Sequence, residues 1–573
     1  MSDALELDAS TTIAAGFGLD AFGWLIIPLA PLFAALLLLC WRDKVIPWLW
    51  LSCVPALIAA VFPPAGVPLP ALWPGAAWGD SDLITRALLG FTALLWGCAS
   101  VYAFASQQDH PRRLRFFGFW LLSLSGNLLL IIAQDGASFY VGFTLMSLSA
   151  YALIVHLGGP SPRQAGRLYL QLAILGEMLL CAGLLLRIYE AGGAYHFVDW
   201  QAAPMGGLTA ALLLIGFGLK AGFWPLHVWL PLAHPAAPAA ASAVLSGAMI
   251  KAGILGLWRF IPHSDPLLID WAGVLFAIGM ISAFYGVALG LLQTKAKAAL
   301  AYSTVSQVGY LLAILALAWQ QPDARELWGA LLALYAVHHG LAKGALFMGA
   351  GLAASYSLKR VHWALMLIPA LALAGLPITS GAAIKTLFKS QLNDSLLSQW
   401  LPLLTLGALA TSLLIARALW LMWQAQKSAE PDSASNSPKA GLVYPWALLC
   451  LMPILVPLLW PEMRSHWLES ISLYASWALV WPLLIATLLI AIILRSGWKI
   501  PAALTQLPNP SRYLSLQLYR LLKRPPVPPL QPRINSNLWR ARERRWNHFW
   551  QQNSLTLSAW ILLVLLLLGG MSF

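Results

Sequence analysis

The stretch LKAGFWPLHVWLPLAHPAAPAAASAVLSGAMIKAGILGLWRF (residues 219–260) is almost wholly apolar, yet it carries two lysines and is interrupted by prolines. Pro225 and Pro231 lack a backbone donor and disfavour helix in the residue before each of them. Irregular backbone at membrane depth is tolerated only beside protein or a water-filled cavity. The stretch therefore predicts a membrane-spanning helix that is broken just after Lys220, followed by a helix that carries a second lysine, Lys251.

A second break is predicted in LAGLPITSGAAIK (residues 373–385). Pro377 interrupts the apolar run, and a trio of small residues (Thr379, Ser380, Gly381) follows before Lys385. Hydroxyl side chains and glycine can satisfy freed backbone groups while water reaches them. Each half of the chain thus carries one broken helix and one buried lysine, the arrangement of inverted-repeat transporters. Similarity between the halves is too weak to establish a repeat by spacing alone.

Composition places the whole chain in a membrane. Its 573 residues are 60% hydrophobic and 10% charged, with a mean hydropathy of +0.72, which excludes a soluble surface. Apolar stretches of about 20 residues recur along the chain, each able to cross the hydrocarbon core as a helix. The alternation expected of a barrel is absent from the sequence. We predict an all-α polytopic membrane protein with about 14 to 16 transmembrane helices.

Lysine and arginine cluster in alternate loops, which places those loops in the cytoplasm of a bacterial inner membrane and the N-terminus outside. The first ten residues, MSDALELDAS, are acidic and lack the basic region of a cleaved signal peptide, so the first helix is expected to be retained. The predicted segments are N-terminal transmembrane helices (1–110), a first repeat (111–262), a second repeat (263–426), C-terminal transmembrane helices (427–495), a basic cytoplasmic arm (496–554) and a final transmembrane helix (555–573).

The net charge of +13 does not indicate nucleic acid, because much of the excess lies in residues 495–545. This segment holds eleven Arg or Lys residues and one acid, Glu543. It fits an irregular arm on anionic lipid headgroups or on a neighbouring subunit. The alternative is charge that sets topology and has no partner.

No motif for a cofactor or metal is present. The five cysteines are scattered without paired spacing, and neither a dinucleotide fingerprint nor a phosphate loop occurs. We therefore predict no cofactor and no metal for this chain. Redox chemistry, if the protein takes part in any, belongs to other chains, so whether it counts as a subunit of an enzyme is left open.

Six ionisable residues lie deep in the apolar segments: Glu177, Lys220, Lys251, His339, Lys343 and Lys385. An uncompensated charge at the bilayer centre costs roughly 2.5–3.5 kcal/mol on insertion scales. A chain that keeps several must use them in a protein-lined, hydrated interior. These residues predict ion movement.

Spacing suggests how some of them work together. His339 and Lys343 are four residues apart and share one helical face, where an imidazole beside a basic amine suits proton transfer. His338 lies off that face and is expected to make an interhelical hydrogen bond.

Two of the other residues have alternatives. Lys251 follows a face of small residues that lets helices approach closely, and the alternative is that it snorkels to an interface. Glu177 needs a cation or must be protonated. We expect Lys220 as its partner, with a neutral structural carboxyl as the alternative.

Four ordered motifs resemble the antiporter-like membrane subunits of respiratory complex I. They are residues 219–260, KAALAYSTVSQVGY (297–310), HHGLAKGALF (338–347) and GLPITSGAAIK (375–385). The resemblance covers about residues 114–423 and is closest to the large membrane subunit of group 4 hydrogenases and to Mrp-type antiporter subunits. It implies about 14 helices with two five-helix inverted repeats, each with a broken helix. It also implies a proton-transfer role for the six ionisable residues above.

The chain departs from that family at two places. In the stretch FTLMSLSAY (143–151), Thr144 stands where the family has a glutamate that pairs with the broken-helix lysine. A hydroxyl cannot hold a lysine as ammonium, so either Glu177 substitutes or the first half has lost its switch. The family's Asp-x-Lys-Arg is Lys295, Ala296, Lys297 and Ala298 here, which weakens a cytoplasmic-side contact.

Three functions remain open. The first is a proton-translocating subunit of a larger complex, with other membrane subunits and a soluble module as partners. The second is a component of a sodium/proton antiporter, for which Thr144, Thr379 and Ser380 would supply oxygen ligands. The third is a scaffold whose transport path has decayed, which the loss of the glutamate at Thr144 would favour.

Overall fold

A computed structural model describes residues 19–73, 75–393, 395, 397–427, 437–496 and 501. In this part of the chain twelve helices are long and apolar enough to cross a membrane, and three shorter apolar helices accompany them. The predicted all-α polytopic membrane fold is confirmed. The first ten residues, the final helix predicted at 555–573 and nearly all of the predicted arm at 496–554 lie outside the described residues.

The helices of the described residues are numbered in chain order. The N-terminal ones are α1 (Leu19–Trp41), α2 (Val54–Val61) and α3 (Leu83–Ser106). The next seven are α4 (Arg113–Ile132), α5 (Gly136–Ile154), α6 (Pro160–Glu190), α7 (Phe197–Ala202), α8 (Gly207–Ala221), α9 (Leu230–Ala236) and α10 (Ala239–Phe260). The remaining ones are α11 (Pro266–Leu291), α12 (Ala296–Gln320), α13 (Arg325–Ser355), α14 (Arg360–Ala374), α15 (Ser380–Asn393), α16 (Leu401–Lys427), α17 (Ala440–Leu459), α18 (Pro461–Ser470) and α19 (Leu473–Ser496).

The loop between α2 and α3 forms a small ribbon that the sequence did not predict. Strands β1 (Val67–Pro68) and β2 (Ala77–Trp78) pair antiparallel. The ribbon is tied to the start of α5 by Asp135, whose carboxylate accepts hydrogen bonds from the backbone of Ala77 (3.1 Å) and from the backbone of Ser138 (2.8 Å). Asp135 thus caps the helix N-terminus and fixes the loop with one buried side chain.

The first break separates α8 from α9. Helix α8 ends at Gly222, which adopts a left-handed conformation (φ +76°) that a residue with a Cβ enters only with strain. Pro225 lies in the irregular stretch that follows, and Pro231 occupies the first turn of α9. Proline is tolerated there because the first helical N–H groups have no intrahelical partner.

The second break separates α14 from α15. Helix α14 ends at Gly375, again in the left-handed region (φ +94°). Pro377 lies between the two helices, and Ile378 also has a positive φ of 75°. A β-branched residue in this region is strained, so the second break stores more backbone strain than the first.

Helices α10, α12 and α13 form the centre of the bundle. The most apolar 18-residue window of each is 100% buried by other parts of the chain. Helices α10 and α13 cross at Gly247 and Gly340, where a Cβ on either glycine would lie 2.8 Å from the other residue's carbonyl oxygen. Small residues therefore let these two backbones touch, as the sequence predicts for this face of α10. The contact brings the lysines of both helices into the interior.

Candidate functional site

The chain buries the ionisable residues that the sequence singled out. The exposed fractions are 6% for Glu177, 5% for Lys220, 3% for Lys251, and 0% for both His339 and Lys343. Lys385 is half-buried. Lys251 therefore does not snorkel to an interface. Each of these side chains must find its polar partners inside the bundle.

Lys220 is held by hydroxyl groups near the end of α8. Its Nζ donates to Ser147 Oγ (2.9 Å) on α5 and to the Tyr169 hydroxyl oxygen (3.1 Å) on α6. Tyr169 in turn donates its hydroxyl proton to the Ser147 carbonyl (2.8 Å), which leaves its oxygen free to accept from Lys220. A cavity of about 20 Å³ lies against these three residues. That volume is enough for one water molecule.

Glu177 is the acid of this first cluster, but its direct partner is a hydroxyl group. Thr144 donates to Glu177 Oε2, and Tyr140 donates to the Glu177 carbonyl (3.2 Å). Glu177 Oε1 has no hydrogen-bond partner among the described residues. Thr144, which stands where the resemblance places a glutamate, therefore faces the Glu177 carboxylate on the neighbouring helix α6.

The expected partnership of Glu177 with Lys220 is electrostatic and is not a direct ion pair. None of the ion pairs among the described residues joins these two side chains. The reason lies in α5, where Thr144 and Ser147 are three residues apart and so share a face. Thr144 takes the carboxylate from α6, and Ser147 takes the ammonium group from α8. The acid and the base are therefore held one helical turn apart on a common strip of hydroxyl groups.

Lys251 and Lys343 are connected in the centre of the bundle. A π-helical turn over Leu245–Met249 precedes Lys251, whose Nζ folds back to the Ser246 carbonyl (2.9 Å). Such turns are rare and occur often at functional sites. The Ser246 hydroxyl bonds the Thr304 hydroxyl (2.8 Å) on α12.

The connection continues along α12. Thr304 donates to the Leu300 carbonyl (3.1 Å), and that carbonyl also accepts from Lys343 Nζ (2.9 Å) on α13. Two lysines on different helices thus bond two carbonyls, those of Ser246 and Leu300, and the hydroxyl groups of Ser246 and Thr304 lie between these carbonyls. A hydroxyl both donates and accepts, which makes it a suitable link for moving a proton.

His339 and His338 have different surroundings although they are neighbours. Neither ring nitrogen of His339 has a hydrogen-bond partner among the described residues, and Lys251 and Lys343 act on it electrostatically. His338 Nδ1 pairs with Ser380 Oγ (2.8 Å) on α15. The interhelical hydrogen bond predicted for His338 is confirmed.

Lys385 is held by the broken helix itself. Its Nζ donates to the carbonyls of Leu373 (3.1 Å) and Ala374, the last residues of α14. The carbonyl end of a helix carries a partial negative charge, which stabilises an ammonium group. A cavity of about 20 Å³ borders Lys385, Lys389 and two tyrosines, Tyr310 and Tyr335. No carboxylate contacts Lys385 in the described part of the chain.

The six residues thus fall into three groups. The first contains Glu177 and Lys220, the second contains Lys251, His339 and Lys343, and the third contains Lys385. We find no direct hydrogen bond between the first and second groups among the described residues. The described residues also contain no group of three or more His, Cys, Asp or Glu side chains suited to a metal ion.

Sequence reasoning missed the hydroxyl groups that connect these residues. Ser147 could have been found, because it lies three residues after Thr144 and must share its helical face. Thr304 and Tyr169 had no comparable signal, since their role depends on how α12 and α6 are rotated against their neighbours.

Comparison with known proteins identifies the scaffold. Residues 133–415 match the transmembrane family described as NADH:quinone oxidoreductase/Mrp antiporter. Residues 133–415 belong to this family. The matched region contains all six ionisable residues and both breaks, and the resemblance drawn from the motifs is confirmed.

Relatives of the family include proteins of several complexes. Hydrogenase-4 component B of Escherichia coli (strain K12) is 33% identical over 329 residues, which cover 52% of this chain and 48% of that protein. NAD(P)H-quinone oxidoreductase chain 4 3 of Trichormus variabilis is 31% identical over 294 residues, covering 50% of this chain and 52% of that protein. The chain spans about half the length of the curated relatives it matches.

A solved structure shares the fold. The Mrp complex from Dietzia sp. DQ12-45-1b contains a chain that superposes with a TM-score of 0.69 at 20% identity. The match covers 95% of this chain and 62% of that one. The fold of this chain is therefore the fold found in an Mrp complex.

Proposed function

We propose that this chain is a proton-translocating, antiporter-like membrane subunit of a larger energy-converting complex. Protons would move along Glu177, Lys220, Lys251, His339, Lys343 and Lys385. The observation that carries the proposal is the placement of Lys251 and Lys343 in the most deeply buried part of the bundle, where the carbonyls that hold them are joined through the Ser246 and Thr304 hydroxyl groups. Lysines placed there without carboxylates have no evident structural purpose, and their burial is costly.

The first cluster supports a charge switch in this mechanism. Glu177 lies against Thr144, the position at which the family carries its acid. We propose that Glu177 takes over that role from α6. When Glu177 is ionised it favours a charged Lys220, and when it is neutral it favours release of the Lys220 proton. The Ser147 and Tyr169 hydroxyl groups would hold the ammonium in place between these states.

Lys385, which forms the third group, is suited to the last proton transfer of the pathway. Lys385 is held by carbonyl oxygens, which accept from its charged form and cannot take its proton. The adjoining cavity of about 20 Å³ has room for one water molecule. A water molecule there would receive the proton from Lys385 and pass it on.

A sodium/proton antiporter component is the second candidate, and the likeness to an Mrp complex favours it. The proposed oxygen ligands argue against it, since each already has a partner. Thr144 bonds Glu177, Thr379 bonds the Leu376 carbonyl (2.6 Å), and Ser380 bonds His338. A sodium site would have to disrupt these contacts in a region rich in lysine. Growth rescue of an antiporter-deficient host in high sodium would support this candidate.

The decayed scaffold is the third candidate, and it rested on the loss of the glutamate at Thr144. The contact between Thr144 and Glu177 weakens this argument for decay, because an acid still lies beside the Thr144 position. We further propose that the chain lies in a bacterial inner membrane with its N-terminus outside. Its partners would be other membrane subunits and a soluble module.

The test uses inverted membrane vesicles from cells that make the chain, so that it keeps its natural partners. A potassium diffusion potential set with valinomycin drives protons, and a trapped pH dye records the flux that depends on the chain. Vesicles from a strain without the chain supply the background. We compare Lys385→Met with Lys44→Met, whose lysine is exposed in a short 3-10 helix after α1.

The expected result is a flux at background in Lys385→Met and a normal flux in Lys44→Met. Normal flux in Lys385→Met would remove that residue from the pathway. No flux that depends on the chain in the parent vesicles would count against proton translocation. Loss of partner subunits in the deletion strain, with no change of flux, would favour the scaffold.

A further inference from the structure

Helix α9, the short piece after the first break, carries a histidine that the proposed pathway does not use. His234 is 0% exposed, and neither of its ring nitrogens has a hydrogen-bond partner among the described residues. Its ring stacks on Phe347 of α13 with 4.6 Å between centroids. A buried polar group left without a partner destabilises the folded protein. Packing alone therefore does not explain why a histidine occupies this position.

Two lysines surround this histidine. Lys297 and Lys343 both act electrostatically on His234. Lys297 is half-buried at the start of α12, and its Nζ donates to the Ala237 carbonyl (2.5 Å), three residues after His234. Phe347, on which His234 stacks, is one turn along α13 from Lys343. The segment that carries His234 thus contacts a lysine near the surface, and the His234 ring packs one turn away from a lysine on the central axis.

Among the described buried histidines, only His339 shares with His234 two unpartnered ring nitrogens beside lysines. His263 and His338 each bond an oxygen, at the Trp258 carbonyl (3.1 Å) and at Ser380 Oγ (2.8 Å). His227 is as buried as His234 and is also unpartnered among the described residues, but it lies against Tyr285 and no charged group acts on it. His227 is therefore a matched control for His234.

We infer that His234 is a proton relay that joins Lys297, at the loop between α11 and α12, to Lys343 on the central axis. Protons would then reach the second group from the basic-loop side. The inference rests on the proposed function. Lys297 and His234 would take up protons at the surface, and His234 on α9 would pass them towards the centre of the bundle.

The transfer balances atom by atom. One ring nitrogen of neutral His234 forms an N–H bond as the Lys297 ammonium loses a proton. The other ring nitrogen then gives its proton to the neutral amine of Lys343. Lys297 regains a proton from water at the surface. The imidazole ends neutral in its other tautomer and returns to the first tautomer before the next transfer.

The test compares His234→Gln with His227→Gln in the inverted vesicles described above. Glutamine keeps a polar side chain of similar size and cannot carry a proton. We expect the flux to fall about 100-fold in His234→Gln, as for loss of a proton-transfer group, and to stay within about twofold in His227→Gln. Chain abundance and the thermal unfolding midpoint in detergent should match the parent in both variants.

Lys297→Gln provides a second, independent variant, because its amide can still donate to a carbonyl. It should slow the flux, and the double variant His234→Gln/Lys297→Gln should be no slower than the slower single variant. Replacing H2O by D2O should slow Lys297→Gln more than the parent, since proton delivery to His234 becomes rate-limiting.

Each outcome decides a separate point. Normal flux in both His234→Gln and Lys297→Gln, with Lys385→Met at background, would overturn the relay and leave the proposed function in place. Normal flux in Lys385→Met as well would count against the proposed function itself. If His234→Gln does not accumulate, a normal flux in Lys297→Gln alone overturns the relay.

Discussion

The two broken helices hold their lysines in different ways. At the first break, Lys220 donates to side-chain hydroxyls of two other helices, and a carboxylate lies one turn away on the same strip. At the second break, Lys385 donates to backbone carbonyls at the end of α14, and its charged neighbour in the cavity is another lysine, Lys389. The first lysine is controlled by a group that can change charge, and the second by a fixed dipole.

This difference implies that the lysines at the two breaks have different roles. A carboxylate can switch Lys220 between its charged and neutral forms, so the first break is suited to responding to events elsewhere in a complex. A helix terminus and a nearby cation do not switch, so Lys385 has a constant environment. Substitutions at the two breaks should therefore have distinguishable effects.

The largest expected effect is loss of the acid at the first break. Glu177→Gln should lower the chain-dependent proton flux by about 100-fold, because the group that sets the charge of Lys220 can no longer ionise. The double variant Thr144→Glu/Glu177→Gln should restore much of the flux, since it returns the acid to the position used by the family. Vesicle flux measures both. Failure of the double variant, with normal accumulation, would argue that the acid cannot act from α5.

How much of this site the sequence could predict depends on the kind of feature. Both breaks follow from Pro225 and Pro377, because proline acts on its own helix and needs no knowledge of neighbours. Burial of the lysines follows from the apolar residues around them. The partner of Glu177 could not be predicted, since choosing Thr144 over Lys220 depends on the rotation of α5 and α6 about their axes.

Other features depend on still longer-range packing. The π-helical turn over Leu245–Met249 contains one glycine, Gly247, and no proline, and a single glycine does not distinguish it from ordinary helix. Asp135 lies in an ordinary loop, and only the fold brings the ribbon of residues 67–78 onto it. The inverted relation of the two halves stays a prediction.

A pair of glycines provides a direct comparison of the two breaks. A Cβ at Gly375 would lie 2.6 Å from Cδ and 2.8 Å from Nζ of Lys385, whereas one at Gly222 would meet Leu230. Both glycines have positive φ, so alanine at either should cost about 1–3 kcal/mol of stability. Only Gly375→Ala should also displace a lysine, and we expect it to lower flux by about tenfold, equivalent to 1.4 kcal/mol.

Thermal unfolding midpoints in detergent and vesicle flux separate these two effects. The midpoints should fall by similar amounts in Gly375→Ala and Gly222→Ala. Flux per chain should fall much further in Gly375→Ala. Equal losses of flux in the two variants would mean that backbone strain, and not the position of Lys385, explains the effect.

A smaller effect is expected at Thr144. Thr144→Ala removes the hydroxyl that donates to Glu177, and a lost hydrogen bond of about 1 kcal/mol predicts a loss of flux of about fivefold. Thr144→Ser keeps the hydroxyl and should behave like the parent. If serine and alanine gave the same flux, the contact between Thr144 and Glu177 would have no role in switching.

The smallest effect concerns strain at the second break. Ile378 is 55% exposed and has a positive φ, so Ile378→Gly should relieve strain with little loss of packing. We expect the variant to be more stable by about 1 kcal/mol, the lower range for a strained residue. Its flux should equal that of the parent. A lower unfolding midpoint in Ile378→Gly would show that the isoleucine side chain stabilises the fold by more than its backbone strain destabilises it.

Lys343 tests the central claim most directly, because it is 0% exposed and lies where the hydrogen-bonded connection from Lys251 ends. Lys343→Met keeps the length and the apolar stem of the side chain but cannot carry a proton. The measurement is chain-dependent proton flux in inverted vesicles under an imposed potential, with Lys44→Met as the exposed control. A pathway through the buried lysines predicts background flux in Lys343→Met and parental flux in Lys44→Met. Parental flux in a normally folded Lys343→Met would contradict it.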